Sequence, residues 1–263
     1  MTVNPENLIE MLNRLRLTTI RDKLDNLLDE ASRKKMNLRE ALSFFCEQEM
    51  QNREDMRYRR GLSMAKFPYN RTLEQFDFSE QPSLDARQIR ELGTCRWIAN
   101  GDALLLLGPP GVGKTHLAVA LGHKAICLGY TVLFTAATTL LTQLARAHQE
   151  GRLEEKINWY SKAKLLIIDE LGYLPFEPKA AHLFFQLISR RYEKGSTLIT
   201  SNRSVSEWGE VFGDTVVATA ILDRLLHHSH VITIRGESYR LKEKRKSGLV
   251  KTTTLQSEVS SIK

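Results

Sequence analysis

Eight consecutive residues carry the most recognisable chemistry of this chain: Gly108-Pro109-Pro110-Gly111-Val112-Gly113-Lys114-Thr115. The pattern G-x-x-x-x-G-K-T suits a loop that wraps phosphate. Glycines at 108, 111 and 113 let backbone N–H groups turn toward phosphate oxygens, where a Cβ would intrude. The Lys114 ammonium can reach a β- and a γ-phosphate, and the Thr115 hydroxyl can ligate Mg2+. With the next residue included, the nucleotide-contacting set is Gly108, Pro109, Pro110, Gly111, Val112, Gly113, Lys114, Thr115 and His116.

Two carboxylates follow downstream, Asp169 and Glu170, at the end of the apolar run Leu165-Leu166-Ile167-Ile168. Asp169 is expected to serve Mg2+, directly or from the second shell, and Glu170 to orient or deprotonate an attacking water. An Asp-Glu pair after a strand also suits plain helix capping. Asn202 stands just past another strand-like run, Ser196–Ser201. It can touch a γ-phosphate or a water, although an isolated Asn there also reads as a turn former.

These groups need elements to hold them. A phosphate loop requires a strand before it and a helix after it. Ala103–Leu107 is an apolar run of strand length, and His116–Leu128 has helical character. Further strands are expected at Tyr130–Thr135, Lys164–Ile168 and Val231–Ile234, with Ser196–Ser201 as the fourth in chain order. Helices are expected at 83–98, 138–149, 178–194, 205–211 and 218–226. An unbroken apolar run such as 165–168 suits a strand buried on both faces. The β-α alternation predicts a doubly wound α/β fold with a five-stranded parallel sheet.

Ahead of the core, residues 4–31 and 38–64 repeat apolar side chains at three- and four-residue steps, and Asn37 with Glu40 resembles a capping box. Arg53, Arg57, Arg59, Arg60 and Lys66 stripe the far half of the second helix, with Tyr58 and Phe67 between them. Such a stripe can follow phosphates or merely be solvated. The expected organisation is an N-terminal helical interaction domain (1–66), a linker (67–82), a nucleotide-binding core (83–245) and a basic, polar tail (246–263). Phe76 and Phe78 in the linker can anchor it to the core or border an adenine.

The net charge of +7 is uneven: residues 1–80 balance 14 basic against 14 acidic side chains, and residues 235–263 carry eight basic and three acidic ones. A basic balance points to a polyanionic partner such as nucleic acid. No apolar run reaches membrane-spanning length and no secretory leader is visible, so a cytoplasmic protein without a membrane partner is expected. Cys46, Cys95 and Cys127 form no metal or disulfide pattern.

The segments Leu104–Ala118, Leu165–Pro175 and Leu198–Asn202 resemble an ATPase of the AAA+ class. More narrowly, nearly the whole chain is similar to the IstB-like transposition helper ATPases of bacterial insertion sequences, relatives of the DnaC-type helicase loaders. Phe67-Pro68, Thr72–Phe78 and Gly236–Arg240 carry the narrower likeness. The resemblance implies ATP with Mg2+, Lys114 and Thr115 as Walker A, Asp169 and Glu170 as Walker B, and Asn202 as sensor 1. It makes Arg224 the best match to an arginine acting on a neighbouring subunit's ATP; a local ion pair with Asp223 or Glu210 is the alternative. It also implies a reduced or absent helical lid, with Arg240 a weak sensor-2 candidate. The implied function is an ATP-dependent regulator that assembles as a homo-oligomer on duplex DNA, recruits or stimulates a transposase, and hydrolyses ATP to reset. A helicase loader is the alternative within the class. A small-molecule kinase fits less well beside Glu170 and Asn202, a GTPase lacks N-K-x-D, and a non-hydrolysing ATP scaffold stays open.

Overall fold

The computed structural model describes residues 5–173 and 178–239, which divide into two compact units on either side of Ser63 and Met64.

The first unit is helical: α1 (Pro5–Arg14), α2 (Thr18–Asp22), α3 (Leu24–Arg33) and most of α4 (Leu38–Ala65). The single helix expected over 4–31 is therefore three. The chain turns at Arg16, which adopts φ +56°. Thr18, Thr19 and Ile20 are β-branched and weak helix formers. A stronger partner also competes there: the buried Glu49 carboxylate of α4 accepts the Thr19 and Ile20 backbone N–H groups at 2.7 and 3.1 Å. A carboxylate on exposed N–H groups caps α2 and makes its restart favourable. The second helix matches its expectation, and the Asn37–Glu40 capping box forms in both directions.

The second unit holds the sheet. Its strands are β1 (Ala103–Leu107), β2 (Val132–Ala136), β3 (Leu165–Leu171), β4 (Ser196–Ser201) and β5 (Ser229–Thr233), in the order β2-β3-β4-β1-β5. Every pairing is parallel, as the alternation required. Before β1 come α5 (Ala86–Leu92) and α6 (Arg96–Asn100), and between the strands run α7 (Lys114–Cys127), α8 (Ala137–Gln149), α9 (Leu153–Ser161), α10 (Pro178–Arg191), α11 (Trp208–Phe212) and α12 (Thr215–His227). One helix was expected over 83–98. The structure breaks it at Gly93-Thr94-Cys95, with Cys95 at φ +58°. Helix α9 fills a stretch that the sequence reading leaves unassigned, although Leu153, Ile157 and Tyr160 recur at helical spacing.

Both faces of the sheet are covered. Leu105 and Leu107 of β1 join Leu166 and Ile168 of β3 in a core with α8 to α12. Leu104 and Leu106 face the other way, where α7 lies across β1, β2, β3 and β4. Arg191 is fully buried inside the fold. It donates to the carbonyls of Tyr160 and Ala163 at 2.9 Å, to that of Ser196, and to Thr197 Oγ1. It thereby ties the C-terminus of α9 to the start of β4; burial lowers its pKa to about 10.

Residues 67–82 are not a loose tether. Phe67 packs so closely on Gly122 of α7 that a Cβ there would sit 2.7 Å from its ring. His116 Nε2 donates to the Thr72 carbonyl at 3.1 Å, and Glu74 pairs with Lys124 at 2.6 Å. The segment is strapped along the helix that the phosphate loop starts. Arg240 and the tail 246–263 lie outside the described residues.

Candidate functional site

The phosphate loop leaves β1 and enters α7, which begins at Lys114, two residues before the expected His116. Gly108 and Gly113 sit at φ +146° and +99°, left-handed values that glycine adopts without strain. The close approaches are as telling. A Cβ on Gly108 would meet the Ile234 carbonyl oxygen at 2.2 Å, and one on Gly111 would meet Ser238 Oγ at 2.0 Å. The chain after β5 crosses directly over the loop, and the Tyr239 N–H donates to the Gly111 carbonyl at 3.0 Å.

Sheet order brings the distant candidates together. Strand β4 lies between β1 and β3, so the C-terminal ends of all three open on one cleft, where such sheets place ligands. Thr115 Oγ1 donates to the Asp169 carboxylate, at 3.0 and 3.1 Å from its two oxygens. Thr200 Oγ1, fully buried on β4, donates to Asp169 Oδ1 at 2.6 Å. Burial pushes the Asp169 pKa up, against the hydrogen bonds from Thr200 and Thr115. A cation beside it would favour the ionised form.

Glu170 is held differently. The β3–β4 register slips between Ile168 and Leu171, and within that bulge Glu170 adopts φ +61°. Its N–H donates to Thr200 Oγ1 at 2.9 Å. A left-handed non-glycine residue in a strand costs about 1–3 kcal/mol unless the surroundings hold it. Here the bulge turns the side chain out of the buried alternation of β3 and into the cleft.

The cleft encloses about 600 Å3. Its lining includes Gly111 to His116, Glu170, Thr200 and Asn202. Asn202 Oδ1 is buried without a hydrogen-bond partner. Such an atom is costly unless something else meets it. The Lys114 ammonium bonds to the carbonyls of Gly108 and Pro109 at 2.7 and 2.8 Å. The His116 side chain faces the strap, with Phe76 edge-on 5.1 Å away, and burial holds its pKa below the ordinary value. Phe76 anchors the linker segment to the core. Its ring packs against Gly113, where a Cβ would come within 2.7 Å, and it also lines the cleft.

Arg224 is the sequence candidate that this cleft does not take in. It lies on α12, its guanidinium 4.5 Å over the Phe185 ring and bonded to the Ala220 carbonyl at 3.1 Å. Neither Asp223 nor Glu210 pairs with it, and among the described residues it has no ion pair. Three features were missed in the sequence. Thr200 had no signal beyond lying one residue before a strand end. Gln81 and Tyr239 line the cleft from segments with no periodic pattern.

The donor set fits a nucleotide with Mg2+. The loop is a cradle in which side chains at 108 and 111 would clash. Thr115 and Asp169 offer the hard oxygen ligands that Mg2+ prefers. Fold and cleft together define a P-loop nucleotide-binding protein of the AAA+ class.

Within that class, the chain belongs to the IstB-like ATP-binding protein family, which it matches over residues 10–247. It is 48% identical over 254 residues to a protein of insertion sequence IS21 from Pseudomonas aeruginosa, named for ATP binding, covering 96% of each chain. A counterpart in IS5376 of Geobacillus stearothermophilus is 45% identical over 240 residues, covering 91% of this chain and 96% of its own. Among solved structures, a DNA replication initiation factor superposes with a TM-score of 0.52 at 25% identity, covering 71% of this chain and 56% of that one. The DnaC helicase loader superposes with a TM-score of 0.51 at 24% identity, covering 67% of this chain and 99% of its own. At that identity the loader attests the fold alone. Among the described residues no helix is long and apolar enough to cross a membrane.

Proposed function

We propose that the protein hydrolyses ATP and uses the ATP-bound state to assemble on duplex DNA and engage the transposase of its insertion sequence. The observation that carries the hydrolytic reading is the single network Thr115–Asp169–Thr200–Glu170, which opens beside the unpartnered Asn202 oxygen. Lys114 and the loop N–H groups would bind the phosphates, and Thr115 with Asp169 would hold Mg2+. When bound, the cation neutralises charge on the phosphate oxygens. Glu170 orients and deprotonates water, Asn202 fixes the γ-phosphate or that water, and Thr200 holds the Asp169 carboxylate and the Glu170 backbone. Glu170 and Asn202 beside the phosphate loop favour water as the acceptor over a metabolite.

Arg224, pointing away from its own cleft, would complete the site of a neighbouring subunit, making ATP a bridge between protomers. ATP then favours the assembled state by its differential affinity, and hydrolysis removes that preference. The division into an N-terminal interaction domain (1–66), a strap (67–82) and a core (83–245) would let the N-terminal helices meet the transposase. The close relatives come from insertion sequences, which favours a transposase over a replicative helicase as that partner. The test is Glu170→Gln. ATP affinity should be kept, steady-state hydrolysis should fall by a hundredfold or more, and the ATP-bound assembly should persist on DNA. Hydrolysis at the unaltered rate refutes the role of Glu170.

A further inference from the structure

A second cavity, about 650 Å3, opens away from the phosphate loop along β2 and between α8 and α9. Four cations line it, Lys66, Arg146, Arg152 and Lys156, against one carboxylate, Glu150. Arg146 and Arg152 both pair with that carboxylate, so it cannot neutralise the two lysines as well. Neither Lys66 nor Lys156 has an ion pair among the described residues. Both instead face one indole: their ammonium groups lie 5.7 and 4.8 Å from the Trp159 ring centroid. Trp159 is 42% exposed, so its indole is open to a ligand. Two like charges held against one ring repel each other. The Lys156 pKa is accordingly lowered, by burial first and by Lys66 second.

A solvated basic face would spread its lysines apart and leave no cavity beneath them. Here converging cations, an accessible aromatic face and an unpaid positive charge share one concave site. That combination suits a phosphodiester chain: phosphates between the ammonium groups, sugar against the indole. A free nucleotide would meet only part of a positive lining that extends from Lys66 to Arg146 on α8 and Arg152 and Lys156 at α9. An acidic peptide would not explain the exposed indole as well.

We infer that the cleft of Lys66, Lys156 and Trp159 seats the backbone of duplex DNA, with Arg146 and Arg152 along its rim. This deepens the proposed function and rests on its DNA-binding reading. The contact is to phosphate and therefore insensitive to base sequence. It also joins Lys66, the residue just before the strap, to helix α9, so DNA would brace the strap that runs along the phosphate-loop helix.

The experiment uses the full chain with ATP and Mg2+ and a labelled duplex, read by fluorescence anisotropy across a salt series. Lys66→Gln and Lys156→Gln keep side-chain length and remove charge. Each should weaken duplex binding roughly three- to tenfold and reduce the slope of log affinity against log salt by about one. Lys156→Arg should retain most of the affinity. ATP affinity of all variants should stay within twofold, which establishes that they are folded. If the unsubstituted chain binds duplex but the Lys66→Gln/Lys156→Gln pair binds it with the same affinity and salt slope, this inference is overturned and DNA binding stands. If the pair loses single-stranded DNA alone, the assignment to duplex is overturned. If the unsubstituted chain binds no DNA with ATP present, the DNA reading itself fails.

Discussion

Thr200→Val offers the sharpest test of how the cleft is built, because the change keeps shape and removes only a hydroxyl. That hydroxyl makes two contacts: it donates to Asp169 Oδ1 at 2.6 Å and accepts the Glu170 N–H at 2.9 Å. A hydrogen bond to a carboxylate contributes about 1.5–3 kcal/mol, and stranding a buried N–H costs about 1–3 kcal/mol. The added methyl returns part of this through burial. A net loss of about 3 kcal/mol is expected, or roughly 6–12 °C in Tm for a unit of this size. The assay is urea denaturation without nucleotide, at neutral and at mildly acidic pH. The pH dependence has a definite sign. Burial already raises the Asp169 pKa, so its ionised form costs stability at neutral pH and the cost fades on acidification. Without Thr200 the pKa rises further, so the deficit of the variant should narrow as pH falls through that raised value toward the unperturbed carboxylate range. Hydrolysis should drop together with stability, since Glu170 loses the anchor that holds its left-handed backbone. A deficit below about 0.5 kcal/mol with unaltered turnover would refute the idea that Thr200 organises the site.

Gly113→Ala should impair ATP binding, because its Cβ would lie 2.7 Å from the Phe76 ring and φ is +99°. Adding Phe76→Ala should recover the part due to the clash but not the part due to the backbone, so nucleotide titration of the double variant should be non-additive. Arg191→Ala should cost about 3–5 kcal/mol in denaturant unfolding, since four buried acceptors lose their donor. Mixing a Lys114→Ala chain with an Arg224→Ala chain should restore hydrolysis that neither has alone; no recovery in oligomers shown to mix argues against an arginine acting across subunits.

The phosphate loop, the β-α alternation and the long helix α4 were legible from local pattern, because glycine placement, apolar runs and periodicity act over a few residues. The narrower family likeness rested on Phe67–Phe78 and Gly236–Arg240, and Phe76 and Phe78 suggested an anchor on the core without showing which helix they grip. The grip depends on Gly122 and Gly113, whose missing side chains make room for Phe67 and Phe76. The break at Arg16 was hidden for a related reason: a carboxylate thirty residues away caps α2, and periodicity cannot register a distant competitor.

The sequence by itself named, by type and spacing, Lys114 for phosphate, Thr115 and Asp169 for metal, Glu170 for water and Asn202 for the γ-phosphate or that water. Only the tertiary structure decided that β4 enters between β1 and β3. That order puts Thr200 where its hydroxyl holds Asp169 and the Glu170 backbone together, and lets a one-residue bulge aim Glu170 into the cleft. Strand order is set by how both faces of the whole sheet are buried, a sum over distant contacts that no local stretch of sequence contains.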